Sequence, residues 1–419
     1  MTKKIKIVTL GDHPLVMSGV GIQTRYFIEG MLKTGKYEFI SLAGATHHAN
    51  LDVVITEEHG EAWKIIPVKE YGSPDLIRGM LRNERPDMMW VMTDPRFWEW
   101  LWAMEDEIRP VCPIVYYHVW DNYPYPMFNK RYYDSNDAIA TISKVTSDIV
   151  KTVAPDVHET YIPHAVDSDI YRKYSSMDVR RFKKEHYGNE DTFLFFWNNR
   201  NARRKQSGTL IWWFNEFLKT RSSDEDIRLI MHTDPKDPYG SDLEAVIKAA
   251  GVPEGKVLLS PGKYPPEQMA MLINSVDCTL NISDAEGFGL ATLESLSCGT
   301  PIIATMTGGL QEQVMDDDGN MYGFGLEPTS KAVIGSQQVP YIYEDRISQS
   351  GFLEALTEMV DMDPKEREEL GERGREYTLS NYNMEKNMKK WDELLTMVHE
   401  ECGSWDTRKN YKTWELLKL

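Results

Sequence analysis

The chain has 419 residues, 41% hydrophobic and 27% charged, the profile of a soluble globular protein long enough for two domains of about 200 residues each. Lys and Arg number 47 against 65 Asp and Glu, and the net charge of -18 argues against generic binding to nucleic acid or anionic lipid. Cys112, Cys278, Cys298 and Cys402 form no C-x2-C pair, the start Met1-Thr-Lys-Lys-Ile-Lys6 lacks a signal-peptide core, and no apolar run reaches membrane length, so a cytoplasmic protein with reduced thiols is expected.

Ile5 to Leu10 reads as a buried strand, broken by Gly11-Asp-His-Pro14, and Ser18-Gly-Val-Gly21 opens a helix through about Leu32. Strand, glycine loop and helix make the first unit of a doubly wound sheet, which places ligands at the carboxyl ends of its strands. Gly19 and Gly21 suit a plain tight turn and a phosphate loop equally. Further strands are expected over Phe39 to Ala43, Asp52 to Ile55, Trp63 to Val68 and Met88 to Met92, with a helix over Pro74 to Asn83.

Aromatic residues then crowd the chain: Phe97, Trp98, Trp100 and Trp102, followed by Tyr116, Tyr117, Trp120, Tyr123 and Tyr125. They read as core packing or as a platform on which an acceptor ring stacks. Pro113 to Tyr117 is a strand with His118 and Asp121 at its carboxyl end, and Asp94 follows the strand before it. His118 is either a structural histidine or a group turned to a cleft. Ala138 to Ile142 is a strand and Val145 to Val153 a helix, and Asp167-Ser168-Asp169 has the letters of a metal motif but reads as linker.

Phe193 to Trp197 is the first strand of the second half, and Asn198-Asn-Arg-Asn-Ala-Arg-Arg-Lys205 after it opens a helix through about Lys219. Strands over Ile227 to Met231 and Val257 to Leu259 bracket a helix over Leu243 to Ala250, and a helix covers Glu267 to Asn274.

Val276 to Ile282 then reads as a strand, Gly287 and Gly289 flank Phe288 in a tight turn, and Leu290, Leu293 and Leu296 share one face of a helix. Cys298-Gly299-Thr-Pro301 ends that helix and Ile302 to Ala304 starts another strand. A helix N-terminus offers unpaired N–H groups and partial positive charge to a phosphate or sugar hydroxyl. Glu286 at the turn suits sugar hydroxyls, and Glu294 about two turns on suits the hydroxyls of a ribose. The plainer alternative makes Glu286 a cap and Glu294 a solvated helix residue. Beyond the motif, Asp316 to Gly319 reads as a solvated turn and residues 323–346 as a long connection with few periodic signals. Helices are expected over Phe352 to Val360, Pro364 to Tyr377 and from Met384 onward.

Glu286-Gly-Phe-Gly-Leu290, Glu294, Gly299-Thr-Pro301 and Gly308-Gly309 resemble the signature of retaining glycosyltransferases of the glycogen-synthase-like superfamily, family 4. The resemblance implies an α/β protein of GT-B architecture, with two Rossmann-like domains facing across a cleft. It divides the chain into an acceptor domain over 1–170, a nucleotide-sugar domain over 171–383 and a helical tail over 384–419 that crosses back. Glu286 and the amides of Gly287, Phe288, Gly289 and Leu290 are expected to hold the donor's sugar and phosphate, and Glu294 its ribose. Arg200 and Lys205 resemble the family's pair on the donor diphosphate, although Asn199 stands where glycine is usual. His118 matches a histidine near the donor sugar, and Gly19 and Gly21 resemble the N-terminal glycine loop with Val20 intervening. The Pro261-Gly-Lys-Tyr264 loop falls where the family cradles the base.

The implied activity is metal-independent transfer of a sugar, with retention, from a nucleoside diphosphate (UDP or GDP) to a hydroxyl acceptor, with no cofactor. Two rivals stand beside it. Arg203, Arg204 and the aromatics suit a modified base in DNA as acceptor, against the acidic total, and a catalytically silent nucleotide-sugar-binding protein would share the motif.

Overall fold

Apolar runs without alternation form strands covered on both faces. A computed structural model describes residues 3–45 and 52–412, and it arranges these strands in two units. The first unit takes the described residues through Ala165 together with those from Met384 on, and the second takes Val166–Asn383. Residues 413–419 of the expected tail lie outside the described residues. No described helix is long and apolar enough to cross a membrane.

The first unit holds β1 (Ile5–Asp12), β2 (Tyr37–Gly44), β3 (Val54–Ile55), β4 (Trp63–Pro67), β5 (Met88–Met92), β6 (Ile114–His118), β7 (Ala138–Thr141) and β8 (His158–Tyr161). Their order is β3-β4-β2-β1-β5-β6-β7-β8, parallel throughout except for the antiparallel β3–β4 edge. The helix Gly19–Lys33 starts at Ser18, whose hydroxyl accepts from Gly21 N at 3.0 Å, and it buries Phe27, Ile28 and Met31. Phe27 stacks on Trp90 of β5 at 4.6 Å.

The helix Met384–Cys402 belongs to this unit. Its Trp391 is 1% exposed and meets Phe27, Trp90 and Tyr117 at 4.8, 5.8 and 4.9 Å. Asn387 donates to the Pro163 carbonyl at 2.6 Å and Lys36 pairs with Asp392. Most of the aromatic cluster is therefore core: Trp98, Trp102, Tyr116, Tyr117 and Trp120 are buried, while Phe97 and Tyr125 are exposed.

The second unit holds β9 (Phe193–Asn198), β10 (Ile227–His232), β11 (Val257–Ser260), β12 (Cys278–Asn281), β13 (Ile302–Thr305) and β14 (Phe324–Leu326) in a parallel sheet ordered β11-β10-β9-β12-β13-β14. Counted from β9 this is the 3-2-1-4-5-6 order of a dinucleotide-binding sheet, with its reversal between β9 and β12. Phe195, Trp197, Leu210, Phe214, Leu229, Leu280 and Phe352 form its core.

Two stretches differ from expectation. The connection 323–346 contains β14 and an antiparallel hairpin, β15 (Ser330–Ile334) with β16 (Ile342–Arg346). Its inner side carries Glu344 instead of an apolar residue, so the usual period-two signal is missing. The interdomain stretch contains a helix, Ser176–Tyr187, capped by Ser175 and stopped by Gly188 in the left-handed region. Lys183 is its only buried residue, so it shows no apolar stripe.

Candidate active site

Where the strand order reverses, the loops after the two adjacent strands part and leave a crevice at the sheet's carboxyl edge. The loop after β9 carries Asn198 to Gln206, and the loop after β12 carries Ser283 to Gly289. Their backbones meet through Asp284 N donating to Arg204 O at 2.8 Å. Lys205, buried in the turn Arg203–Lys205, forms an ion pair with Glu286. Burial pushes the Glu286 carboxyl up, but the Lys205 and Arg204 charges outweigh it and hold it below its ordinary range.

The Gly-Gly loop packs directly on this turn. Gly289 has φ +93°, and a Cβ there would lie 2.5 Å from Leu310 Cδ2. A Cβ on Gly309 would fall 2.6 Å from the Gly287 carbonyl oxygen, while Gly309 N donates to Glu286 O at 3.1 Å. Bare backbone at both positions is thus required by loop-on-loop contact. Phe288 is 3% exposed, its ring lies against Tyr382 at 5.7 Å, and its carbonyl accepts from Gln313 Nε2 at 2.7 Å. Its side chain is core, which leaves the backbone as what it can offer a ligand. Leu290 opens the helix Leu290–Ser297.

Glu294 lies half-buried on that helix. Burial pushes its carboxyl up to about 8, against a hydrogen bond with Tyr171. Asp284 is 3% exposed and is pushed up to about 6 by burial, with Gln206 and Arg346 opposing.

The cations of the β9 loop divide sharply. Arg200 is bidentate to Asp237 at 2.7 and 3.3 Å and lies 4.6 Å over the Tyr239 ring. Arg203 is bidentate to Glu344. The Arg204 side chain has no hydrogen-bond or ion-pair partner among the described residues. Asn199, in the place of the family glycine, buries an Nδ2 without a partner, an uncommon condition that marks a ready donor group. At the ends of β10 and β11, His232 Nδ1 and the Ser260 hydroxyl are 3.0 Å apart, Ser260 also donates to Tyr264 at 3.0 Å, and the His232 and Tyr264 rings are 4.8 Å apart. Tyr264 belongs to the loop expected to cradle a base.

The remaining predicted residues, Asp167 and Asp169 apart, lie in the first unit. A Cβ on Gly21 would meet the Val16 and His13 carbonyls at 2.8 and 2.9 Å, so this glycine serves the folding of its own loop. Gly19 is the first residue of the helix behind Ser18, and Ser18 donates to Asp12 at 2.7 Å. His118 ends β6 and is 0% exposed, with Tyr116 Oη at 3.0 Å from Nδ1 and Tyr133 Oη at 2.7 Å from Nε2. Burial lowers its pKa to about 3, so the ring is neutral. Asp94 pairs with Arg96. Asp167 accepts from Asp169 N at 3.0 Å and closes a turn. Among the described residues the one grouping of three side chains with metal-ligand geometry is Glu29, Glu58 and His59, and it includes none of these positions.

Sequence reasoning missed Asp237, His232 and the β16 carboxylates, which carry no local signal. It noted Asn199 as the departure from the family glycine but not its buried, unpartnered Nδ2.

The fold and this crevice define a protein of two Rossmann-like units, the GT-B architecture, whose second unit carries a cation–carboxylate site at its switch point. Sucrose-phosphate synthase from Thermosynechococcus elongatus has the same fold, with a TM-score of 0.74 at 16% identity over 95% of this chain and 100% of that one. Residues 178–377 match the family model of glycosyl transferases group 1. It is 30% identical over 121 residues to D-inositol 3-phosphate glycosyltransferase of Acidothermus cellulolyticus, across 28% of this chain and 27% of the relative. It is 28% identical over 193 residues to the GDP-mannose-dependent alpha-(1-6)-phosphatidylinositol monomannoside mannosyltransferase of Mycolicibacterium smegmatis, across 45% and 49%. The chain thus spans from about a quarter to about half the length of these relatives.

Proposed function

We propose that this protein transfers a sugar from a nucleoside diphosphate to a hydroxyl acceptor, with retention of the anomeric configuration. The observation that carries the reading is the Lys205–Glu286 pair at the reversal between β9 and β12, beside the start of the helix Leu290–Ser297. A diphosphate beside Lys205 and Arg204 meets positive charge where negative charge grows as the bond to the sugar breaks. Glu286 accepts hydrogen bonds from sugar hydroxyls, and Glu294 takes the ribose. Lys205 and Arg204 are the charges on which a metal-independent reaction rests. The departing diphosphate oxygen takes the acceptor's proton, and the acceptor oxygen attacks the face the leaving group vacates. Four free cysteines suit a reducing, cytoplasmic setting.

The test is a thermal-shift and hydrolysis panel of UDP- and GDP-sugars, with wild type beside Glu286→Ala. One donor raising the melting temperature and hydrolysing slowly, both effects lost in the variant, supports the reading. Proton NMR of the transferred sugar decides the stereochemistry, and activity kept in a chelator supports metal independence. Tight donor binding with no turnover at all would favour a silent binding protein.

A further inference from the structure

Three loops border the crevice of the second unit: the turn Arg203–Lys205, the stretch Asp284 to Gly289, and the Gly-Gly loop that begins at Thr307. One strand touches all three, and it comes from the hairpin that the sequence shows only as an unpatterned connection. Glu344 of β16 is 2% exposed and receives Arg203 at 2.9 and 2.5 Å and Arg346 at 3.0 Å. Arg346 continues to Asp284 at 2.6 Å, where Gln206 Nε2 also donates at 2.6 Å. The main chain adds a rigid link, with Asp345 N donating to Asp284 O at 2.9 Å. Asp345 Oδ2 accepts from the Thr307 hydroxyl at 2.7 Å.

Buried carboxylates are costly unless paired, and here the Arg203 fork pairs with Glu344 while Arg346 bridges Glu344 and Asp284. A network of this kind adds little net stability compared with apolar packing, but it discriminates strongly between one loop arrangement and others. The residues it grips stand two positions from the reactive pair: Arg203 before Lys205, and Asp284 before Glu286. Its third grip, Thr307, begins the loop that packs on Gly287 and Gly289.

We propose that β16 is a positioning strut for the donor crevice, in which Glu344 and Asp345 hold the Lys205, Glu286 and Gly-Gly loops in the arrangement that a nucleoside diphosphate binds. The proposal rests on reading that crevice as the donor site. It also assigns Arg203 to the strut, leaving Arg204 as the open cation of the loop.

The experiment titrates UDP and GDP calorimetrically into wild type, Glu344→Gln, Asp345→Ala, Asp345→Asn and Thr307→Val, with Val333→Ser on the exposed side of the hairpin as control. Asp345→Ala and Thr307→Val each weaken nucleotide binding about ten- to a hundredfold, the scale of a small misplacement in a site. Their double variant loses no more than either single, because both remove one bond. Asp345→Asn keeps an acceptor oxygen and restores most of the affinity; Glu344→Gln shows an intermediate loss, and Val333→Ser none. Donor hydrolysis shows the same ranking in KM more than in kcat. Wild-type binding of UDP or GDP with affinity unchanged in Asp345→Ala and Glu344→Gln would overturn the strut and leave the donor site standing. Wild type binding neither nucleotide would remove the donor reading and the strut together.

Discussion

Lys205 and Glu286 are ion-paired across the reversal point of the second sheet, one from the loop after β9 and the other from the loop after β12. Their side chains are only 7% and 14% exposed, so each is the other's compensation for leaving water. Removing one partner of such a pair strands a buried charge and costs about 3–5 kcal/mol. Lys205→Ala is therefore expected to lower both the melting temperature and donor hydrolysis, the latter by about a hundred- to a thousandfold. Lys205→Met with Glu286→Gln should recover stability without recovering hydrolysis. Stability and turnover moving together in both the single and the double variant would contradict separate structural and catalytic contributions.

Arg200 spends its charge on Asp237 and its planar face on Tyr239, whereas Lys205 meets Glu286 inside the crevice. Arg200→Ala should reduce donor hydrolysis less than Lys205→Ala does. Steady-state rates for the two variants, taken with the donor that shifts wild type, settle the order.

Glu294 has a carboxyl pushed up to about 8 by burial, so it is largely protonated at pH 7 in the free protein. Ribose hydroxyls donating to it favour the anion and pull the pKa down, and nucleotide binding then releases a proton. Calorimetry of UDP or GDP binding at pH 7 should give enthalpies that vary with the ionisation enthalpy of the buffer, and Glu294→Gln should abolish that dependence. The same shift has a stability consequence. The folded state holds this proton where the unfolded state has lost it, so stability falls as pH rises from about 4.5 to about 8. Melting temperatures across that range should decline less in Glu294→Gln than in wild type.

His118 and His164 work in the opposite sense. Burial lowers both to about 3, so the unfolded state binds protons that the folded state refuses between the ordinary 6.5 and that value. Stability is complete above 6.5 and is lost as pH falls through this window. His118→Asn keeps a polar partner for Tyr116 and Tyr133, and its melting temperature should depend less steeply on pH between 6.5 and 4. An unchanged slope would mean that other groups govern acid unfolding.

Trp391 of the helix Met384–Cys402 lies among Phe27, Trp90 and Tyr117. Trp391→Ala should destabilise the first unit by about 3–5 kcal/mol. Denaturant melts followed by circular dichroism measure the loss, and a change under 1 kcal/mol would show that the C-terminal helix is dispensable to that core.

Local patterning carried the sheets and the motif. β1, β5, β6, β9 and β13 are short apolar runs bounded by Gly, Pro or Asp, and each announces itself within about ten residues. The Glu286 to Glu294 segment is equally local, because turn, helix start and second carboxylate fall in one continuous stretch. What stayed hidden were partners distant in sequence. The four cations between Arg200 and Lys205 look alike in the chain, yet Arg200 meets a carboxylate 37 positions away and Arg203 one 141 positions away. His118 offers a similar lesson: its place at a strand end is legible, but its enclosure by Tyr116 and Tyr133 is not.

By itself, then, the order of residues determined most of the segments that become parallel strands and where the glycine turn, the helix start and Glu286 would fall, since these depend on hydrophobic period and backbone freedom over a few neighbours. Only the tertiary structure decided that Lys205 faces Glu286, that Arg204 alone of its loop's four cations has no side-chain hydrogen-bond or ion-pair partner among the described residues, and that β16 braces the crevice. Those relations depend on sheet order and on which charges burial forces together, and neither is written in any one stretch of the chain.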